Sequence, residues 1–282
     1  MKILCPAKLN LFLNILSNDQ DKKMHRLRLI NQTVDLFDEL NIYRSGQNAE
    51  NASNADKEIK IITEANIPTD EKNSVYKAAK LFLEYTNIDS GVVIEITKKI
   101  PIESGMGGES TDAAGTLIVL NKIFNTNLTQ EELVNLGSKI GSDVPYFIYS
   151  GYKKVLGFGE KVENLPTGNP FFRYLIIKPN FGLNTKEMFQ KIDALPFIER
   201  EYSGKLYNDF MKVVPKEIID LKNFFEDNKI LNHSLSGSGS SYFAVVDDKE
   251  DDLVELVKNK YPNYQVFVCN NTDGFIIKEE DL

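Results

Sequence analysis

Residues 101–114, Pro-Ile-Glu-Ser-Gly-Met-Gly-Gly-Glu-Ser-Thr-Asp-Ala-Ala, constrain this chain more than any other stretch. They follow a strand-like run and open a strongly apolar helical pattern. Their glycines permit backbone with positive φ and a close approach of N–H groups to a ligand. Ser110 and Thr111 add hydroxyls where the helix begins. A helix N-terminus carries unpaired N–H groups and a partial positive charge, so the segment predicts a phosphate site. No Gly-Lys-Ser/Thr follows, and the G-x-G-x-x-G order is missing, so neither the common P-loop nor the dinucleotide fingerprint applies.

At 282 residues the chain has ample core for one large domain or two ordinary ones. No window of about 18 apolar residues is available to span a bilayer. The N-terminus runs directly into a patterned strand and reads as neither secretory signal nor transit peptide. Cys5 and Cys269 sit in apolar strand-like runs and read as buried, reduced thiols of a cytoplasmic protein. The formal net charge is −8, with both signs interspersed, which disfavours nucleic acid and anionic membrane as partners. An anionic small substrate would need local positive charge inside a cleft.

Alternation over residues 8–16 sets Leu9, Leu11, Leu13 and Ile15 against Lys8, Asn10, Phe12 and Asn14, which predicts a half-buried strand. A polar stretch over 17–26 precedes strand-like runs at 29–36 and 38–44. Residues 45–57 are polar and patternless and read as an exposed loop. Asn73 is placed to cap a helix through Tyr85, and Val92, Ile94 and Ile96 form a strand leading to the glycine turn. Thr129 and Glu132 form a capping box for a helix through Ile140, stopped by Gly141. Glycines and prolines cluster at 150–170. Beyond them the pattern predicts strands at 173–178, 241–247 and 264–269, with helices near 185–193, 205–213, 215–227 and 249–260. The fold class is α+β.

Phosphoryl transfer needs a phosphate cradle, a cation, a metal site and a group that orients or deprotonates the acceptor hydroxyl. Lys8 is either a solvated strand lysine or such a cation. Asp143, in Gly141-Ser142-Asp143-Val144-Pro145, is either a helix cap or a base, and one aspartate can do both. Leu235-Ser236-Gly237-Ser238-Gly239-Ser240-Ser241 is a glycine turn with hydroxyls, able to pack on the phosphate turn.

Together these strings resemble the galactokinase, homoserine kinase, mevalonate kinase and phosphomevalonate kinase (GHMP) superfamily. Residues 101–114 match its P-x-x-x-G-L-G-G-G-S-S-N/D-A-A loop, and residues 235–243 its L-S/T-G-S/T-G-A/S-x-x-F motif. Residues 6–13, Pro-Ala-Lys-Leu-Asn-Leu-Phe-Leu, and residues 141–147 are similar to the branch acting on 4-diphosphocytidyl-2-C-methyl-D-erythritol. The resemblance implies two lobes, a ribosomal-protein-S5-domain-2-like one over 1–155 and a ferredoxin-like α+β one over 156–282. It implies an ATP-dependent kinase using Mg²⁺, on a small-molecule substrate, as a monomer or weak homodimer. Lys8 and Asp143 would be catalytic. Asn73, Lys98, Pro101, Gly105, Gly107, Gly108, Ser110 and Thr111 would bind ATP, with Ser110 also toward the metal. Asn10, His25, Thr185, Phe189, Gly237 and Gly239 would bind the substrate, with His25 and Phe189 at the cytosine ring. A mevalonate-type or homoserine kinase, or a non-catalytic relative, stays open as an alternative.

Three residues depart from the pattern. Glu109 replaces a glycine of the loop, and either points to solvent or binds Mg²⁺. Met24 and Asn31 stand where the branch has aromatic residues, which removes stacking surface for a base.

Overall fold

The computed structural model describes residues 1–45, 57–247 and 251–278. Its spine is a long antiparallel hairpin of β1 (Lys2–Asp19) and β2 (Met24–Arg44). The sequence pattern instead suggests a shorter strand, a polar gap and two separate runs. Irregularities in the pairing explain the difference. The register shifts between Pro6 and Ala7, between Asn10 and Phe12, and between Ile15 and Ser17. Each shift interrupts the alternation read along the sequence while pairing continues across it. The polar residues of 17–26 are thus the far end of the hairpin and its turn.

The half-buried expectation for β1 is also corrected, because the strand is covered on both sides. Lys8, Asn10, Phe12 and Asn14 are as buried as their apolar neighbours. Ile3, Cys5, Leu13 and Ile15 belong to a core shared with the helices, while Ala7, Leu9, Leu11 and Phe12 belong to a second core. Lys8 and Asn10, opposite in parity to Ala7 and Leu9, therefore point toward the helices. Bulges beside active sites re-aim side chains in this way.

Next come β3 (Ile59–Thr63), α1 (Ser74–Thr86) and β4 (Val92–Thr97), a β-α-β unit whose two strands pair in parallel. Asn73 caps α1 by accepting from Val75 N, as its sequence position predicts. Helix α2 (Gly108–Ile123) follows the glycine turn, then α3 (Gln130–Ser138) with the expected Thr129–Glu132 capping box, and α4 (Val144–Tyr149). Strand β5 (Lys153–Gly157) pairs with β2 and with β6 (Lys161–Asn164). The loop expected over 45–57 lies almost wholly outside the described residues.

The remainder builds a second, antiparallel sheet. Strand β7 (Arg173–Lys178) leads to α5 (Thr185–Asp193). The helix expected over 205–213 is instead β8 (Tyr207–Asn208), parallel to β1, and a 3-10 turn over Asp209–Lys212. The Asp209 carboxylate accepts from Asn14 Nδ2 and Ile15 N of β1, each at 2.7 Å, and holds this segment extended against the hairpin. Then come α6 (Lys216–Asp227), β9 (His233–Leu235), β10 (Tyr242–Val245), α7 (Asp251–Lys260) and β11 (Gln265–Asn270). The sheet order is β11-β7-β10-β9. Its Tyr174, Ile176 and Phe243 meet the middle of β1 in the second core. Strand β12 (Ile276–Lys278) returns to pair antiparallel with β1 in the first sheet.

Helix α2 lies close on β1 because Gly115 has no side chain. A Cβ there would stand 2.5 Å from Cys5 Sγ. Cys5 and Cys269 are both buried and free, and burial pushes both thiols above their ordinary range. Gly115→Ala would gain about 1 kcal/mol of helix propensity but overpack a closed contact, at a cost of about 1–3 kcal/mol. We expect a net loss of stability in urea denaturation; a gain would contradict this packing account.

Candidate active site

The glycine turn and the serine-glycine turn fold as one unit. Gly105 takes φ +73°, and a Cβ on it would fall 2.1 Å from the Ser236 carbonyl oxygen, so only glycine fits. Ser236 Oγ donates to Gly105 O at 3.0 Å, and Ser241 N donates to Ser104 O at 3.1 Å. Strand β1 joins them: Lys8 N donates to Met106 O at 3.0 Å, and Gly237 N donates to Asn10 Oδ1 at 2.7 Å. These segments border a cleft of about 570 Å³. The N-terminus of α2 opens into it, with N–H groups that have no partner within the helix.

Lys8 Nζ stands 3.5 Å from Asp143 Oδ2 in this cleft and donates to Asn10 Oδ1. The lysine head is buried, so the solvated-lysine reading fails. Asp143 is the N-cap residue of α4, yet its side chain makes no capping bond. Its carboxylate is turned instead to Lys8, with 31% of the side chain exposed. A lysine–carboxylate pair at the mouth of the glycine turn is equipped to hold and deprotonate a hydroxyl. Asn10 Nδ2 in turn donates to Asn31 Oδ1 at 2.7 Å. Asn31, which lacks the aromatic surface of the resembled branch, thus supports Asn10 from below.

Lys98 is committed elsewhere. Its ammonium donates to Asp38 and, at 2.8 Å, to Asp112 Oδ2. Asp38 Oδ1 also accepts from Lys99 N and Ile100 N, at 2.6 and 2.8 Å. This cluster ties β2, the end of β4 and the second turn of α2 beneath the glycine turn. Burial lowers the proton affinity of Lys98, but Asp112 and Asp38 outweigh it and hold its pKa above the ordinary lysine value. Burial, reinforced by Asp38, holds the Asp112 carboxyl above the usual carboxylate range, although Lys98 pulls it down. Asp112 Oδ1 finds no donor among the described residues. Asp112 stands at the N/D position of the loop pattern, which assigns it no role, and Asp38, within β2, belongs to no motif.

The other expected nucleotide residues divide. Asn73, Pro101, Gly107, Gly108 and Ser110 line the cleft beside Lys98 and Gly105. Asn73 uses its oxygen as the α1 cap, and its Nδ2 donates to Pro68 O at 2.6 Å. Thr111 is not brought to the cleft. It is fully buried, its N–H is spent on Gly107 O, and its hydroxyl has no partner among the described residues. Glu109 is exposed at the rim in the first turn of α2, where a carboxylate is favourable.

On the opposite wall, Thr185, Phe189, Gly237 and Gly239 line the cleft. Thr185 Oγ1 and Ser238 Oγ are 2.9 Å apart. Phe189 stacks on His25, with centroids 4.2 Å apart. Met24 is exposed at the start of β2. Asp193, 2.7 Å from His25 Nε2, was missed by sequence reading. Its spacing of four residues from Phe189 on a helix was the available signal.

The family described as GHMP kinases N terminal domain matches residues 73–151. A 4-diphosphocytidyl-2-C-methyl-D-erythritol kinase of Clostridium perfringens is 37% identical, over 97% of this chain and 99% of its own length. The protein of the same name from Clostridium botulinum is 36% identical, over 93% and 97%. A crystal structure of 4-(cytidine 5'-diphospho)-2C-methyl-D-erythritol kinase superposes with a TM-score of 0.76, covering 96% of this chain and 100% of that one, at 22% identity.

The Lys98 cluster predicts a structural cost. Lys98→Met leaves two buried carboxylates without their cation, and is expected to destabilise the fold by about 3–5 kcal/mol in urea denaturation. A change below about 1 kcal/mol would mean that the cluster is not holding the turn.

Proposed function

The chain belongs to the GHMP kinase family, and on that premise we propose how its cleft transfers the γ-phosphoryl group of ATP to an alcohol. The acceptor is the 2-hydroxyl of 4-diphosphocytidyl-2-C-methyl-D-erythritol, the compound named in its full-length relatives, and the step belongs to isoprenoid precursor synthesis. The observation that carries the reading is the Lys8–Asp143 pair, 3.5 Å apart at the mouth of the glycine turn.

Asp143 accepts the hydroxyl proton as the new P–O bond forms, and Lys8 stabilises the negative charge shared by that oxygen and the incoming phosphoryl group. The N–H groups at the start of α2 hold the phosphates, and ADP leaves with the β-phosphate oxygen. The cytidine end is assigned to the wall formed by Phe189, on which His25 stacks, and by Thr185 beside the serine-glycine turn. Asn73 and Pro101 border the nucleoside half of ATP.

Mg²⁺ fits the donor set as an ion carried by the phosphates. Ser110 is the hydroxyl beside them, and among the described residues no group of three or more His, Cys, Asp or Glu forms a protein cage. When bound, the ion would neutralise phosphate charge. Glu109 stays at the rim in this reading.

Asp143→Asn tests the assignment. Turnover should fall by about 10²–10⁴-fold, while ATP binding followed by calorimetry is retained. Unchanged turnover would remove Asp143 from the chemistry. Glu109→Gln should leave the Mg²⁺ concentration for half-maximal rate within about twofold; a large rise would make Glu109 a metal ligand.

A further inference from the structure

One helix holds His25 in two ways. Phe189 and Asp193 are four residues apart on α5 and share a face. Phe189 stacks on the imidazole at 18° from parallel, and Phe210 backs Phe189 edge-on at 4.9 Å. Asp193 Oδ1 lies 2.7 Å from His25 Nε2. The other carboxylate oxygen, Oδ2, accepts from Asn18 Nδ2 at 2.9 Å. Asn18 is the residue paired with His25 across the β1–β2 hairpin. The plane of the ring, its edge and the carboxylate are therefore all fixed.

An ionised carboxylate only accepts hydrogen bonds, so Nε2 carries the proton. In neutral imidazole Nδ1 is then the acceptor. Among the described residues the His25 ring makes no hydrogen bond besides that to Asp193.

We propose that Asp193 sets the base preference of the cleft by fixing His25 in the Nε2–H tautomer. Nδ1 then accepts from the 4-amino group of a cytosine and opposes the 4-carbonyl oxygen of a uracil. The inference rests on reading this end of the cleft as the cytidine site. Asp193 touches no substrate atom and acts through His25, as a positioning residue. The carboxylate's two neighbours make its amide variant informative. In Asp193→Asn, the bond from Asn18 Nδ2 is kept when the new Oδ1 faces Asn18, which turns the new Nδ2 to His25. His25 Nε2 must then accept, the ring proton moves to Nδ1, and Nδ1 becomes a donor.

The chain has two histidines, so ring-¹⁵N histidine labelling of the full chain gives two ring systems, and His25→Gln assigns them. At neutral pH, His25 is expected as the Nε2–H tautomer in the wild type and as Nδ1–H in Asp193→Asn. In parallel, kcat/KM is measured with 4-diphosphocytidyl- and 4-diphosphouridyl-2-C-methyl-D-erythritol. The wild-type preference for the cytidine compound should fall by at least about 10-fold in Asp193→Asn. An imidazolium or Nδ1–H ring in the wild type, or an unchanged preference in the variant, overturns the proposal. If the wild type turns over neither compound, the cytidine reading itself fails and the proposed preference falls with it; the nitrogen spectra still report separately whether Asp193 fixes the tautomer.

Discussion

A single amide oxygen organises this molecule. Asn10 Oδ1 accepts from both Lys8 Nζ and Gly237 N, and Asn10 Nδ2 is left to Asn31. Lysine and backbone N–H can only donate, so this orientation of the amide is the one chemistry allows. Through it the cation, the first hairpin and the serine-glycine turn are positioned together. A lysine as buried as Lys8 needs such partners, because an unpaired ammonium away from water is costly. The bulges of β1 serve the same end by turning Lys8 and Asn10 out of the second core and toward α2.

Electrostatics then divide into two levels. The chain as a whole is negative, yet its cleft suits polyphosphate through local means. Lys98 sits under the phosphate turn but is balanced by two carboxylates, so its charge is largely spent on structure. In the proposed reading, attraction for phosphate falls mainly to the amide dipoles at the start of α2 and to Lys8. Asp143 keeps its carboxylate free of capping duty and partly exposed, where an incoming hydroxyl can reach it.

Much of this was legible in the sequence where local chemistry decides the outcome. The glycine turn, the Asn73 and Thr129 caps and the Asp143 segment all depend on residues a few positions apart. The hairpin was less legible because its bulges shift the alternation on which strand reading depends. Residues 205–213 misled for another reason: Asn14 and Ile15, nearly 200 positions away, hold Asp209 and keep the segment from coiling. The pairing of Asp38 and Asp112 with Lys98 was not legible, since burial beside Lys98 is a tertiary fact with no local signature. Thr111 looked like a phosphate ligand because it follows Ser110, but one residue along a helix is about 100° around it, and that turns its side chain into the core.

The central claim concerns which bond is made at the Lys8–Asp143 pair. The most direct measurement is ³¹P NMR of the wild-type protein incubated with ATP, Mg²⁺ and 4-diphosphocytidyl-2-C-methyl-D-erythritol, alongside mevalonate and homoserine controls. The account predicts one new phosphomonoester resonance, assigned to the 2-position of the methylerythritol, growing in step with ADP. A monoester formed on mevalonate or homoserine but absent from the cytidine compound would contradict it.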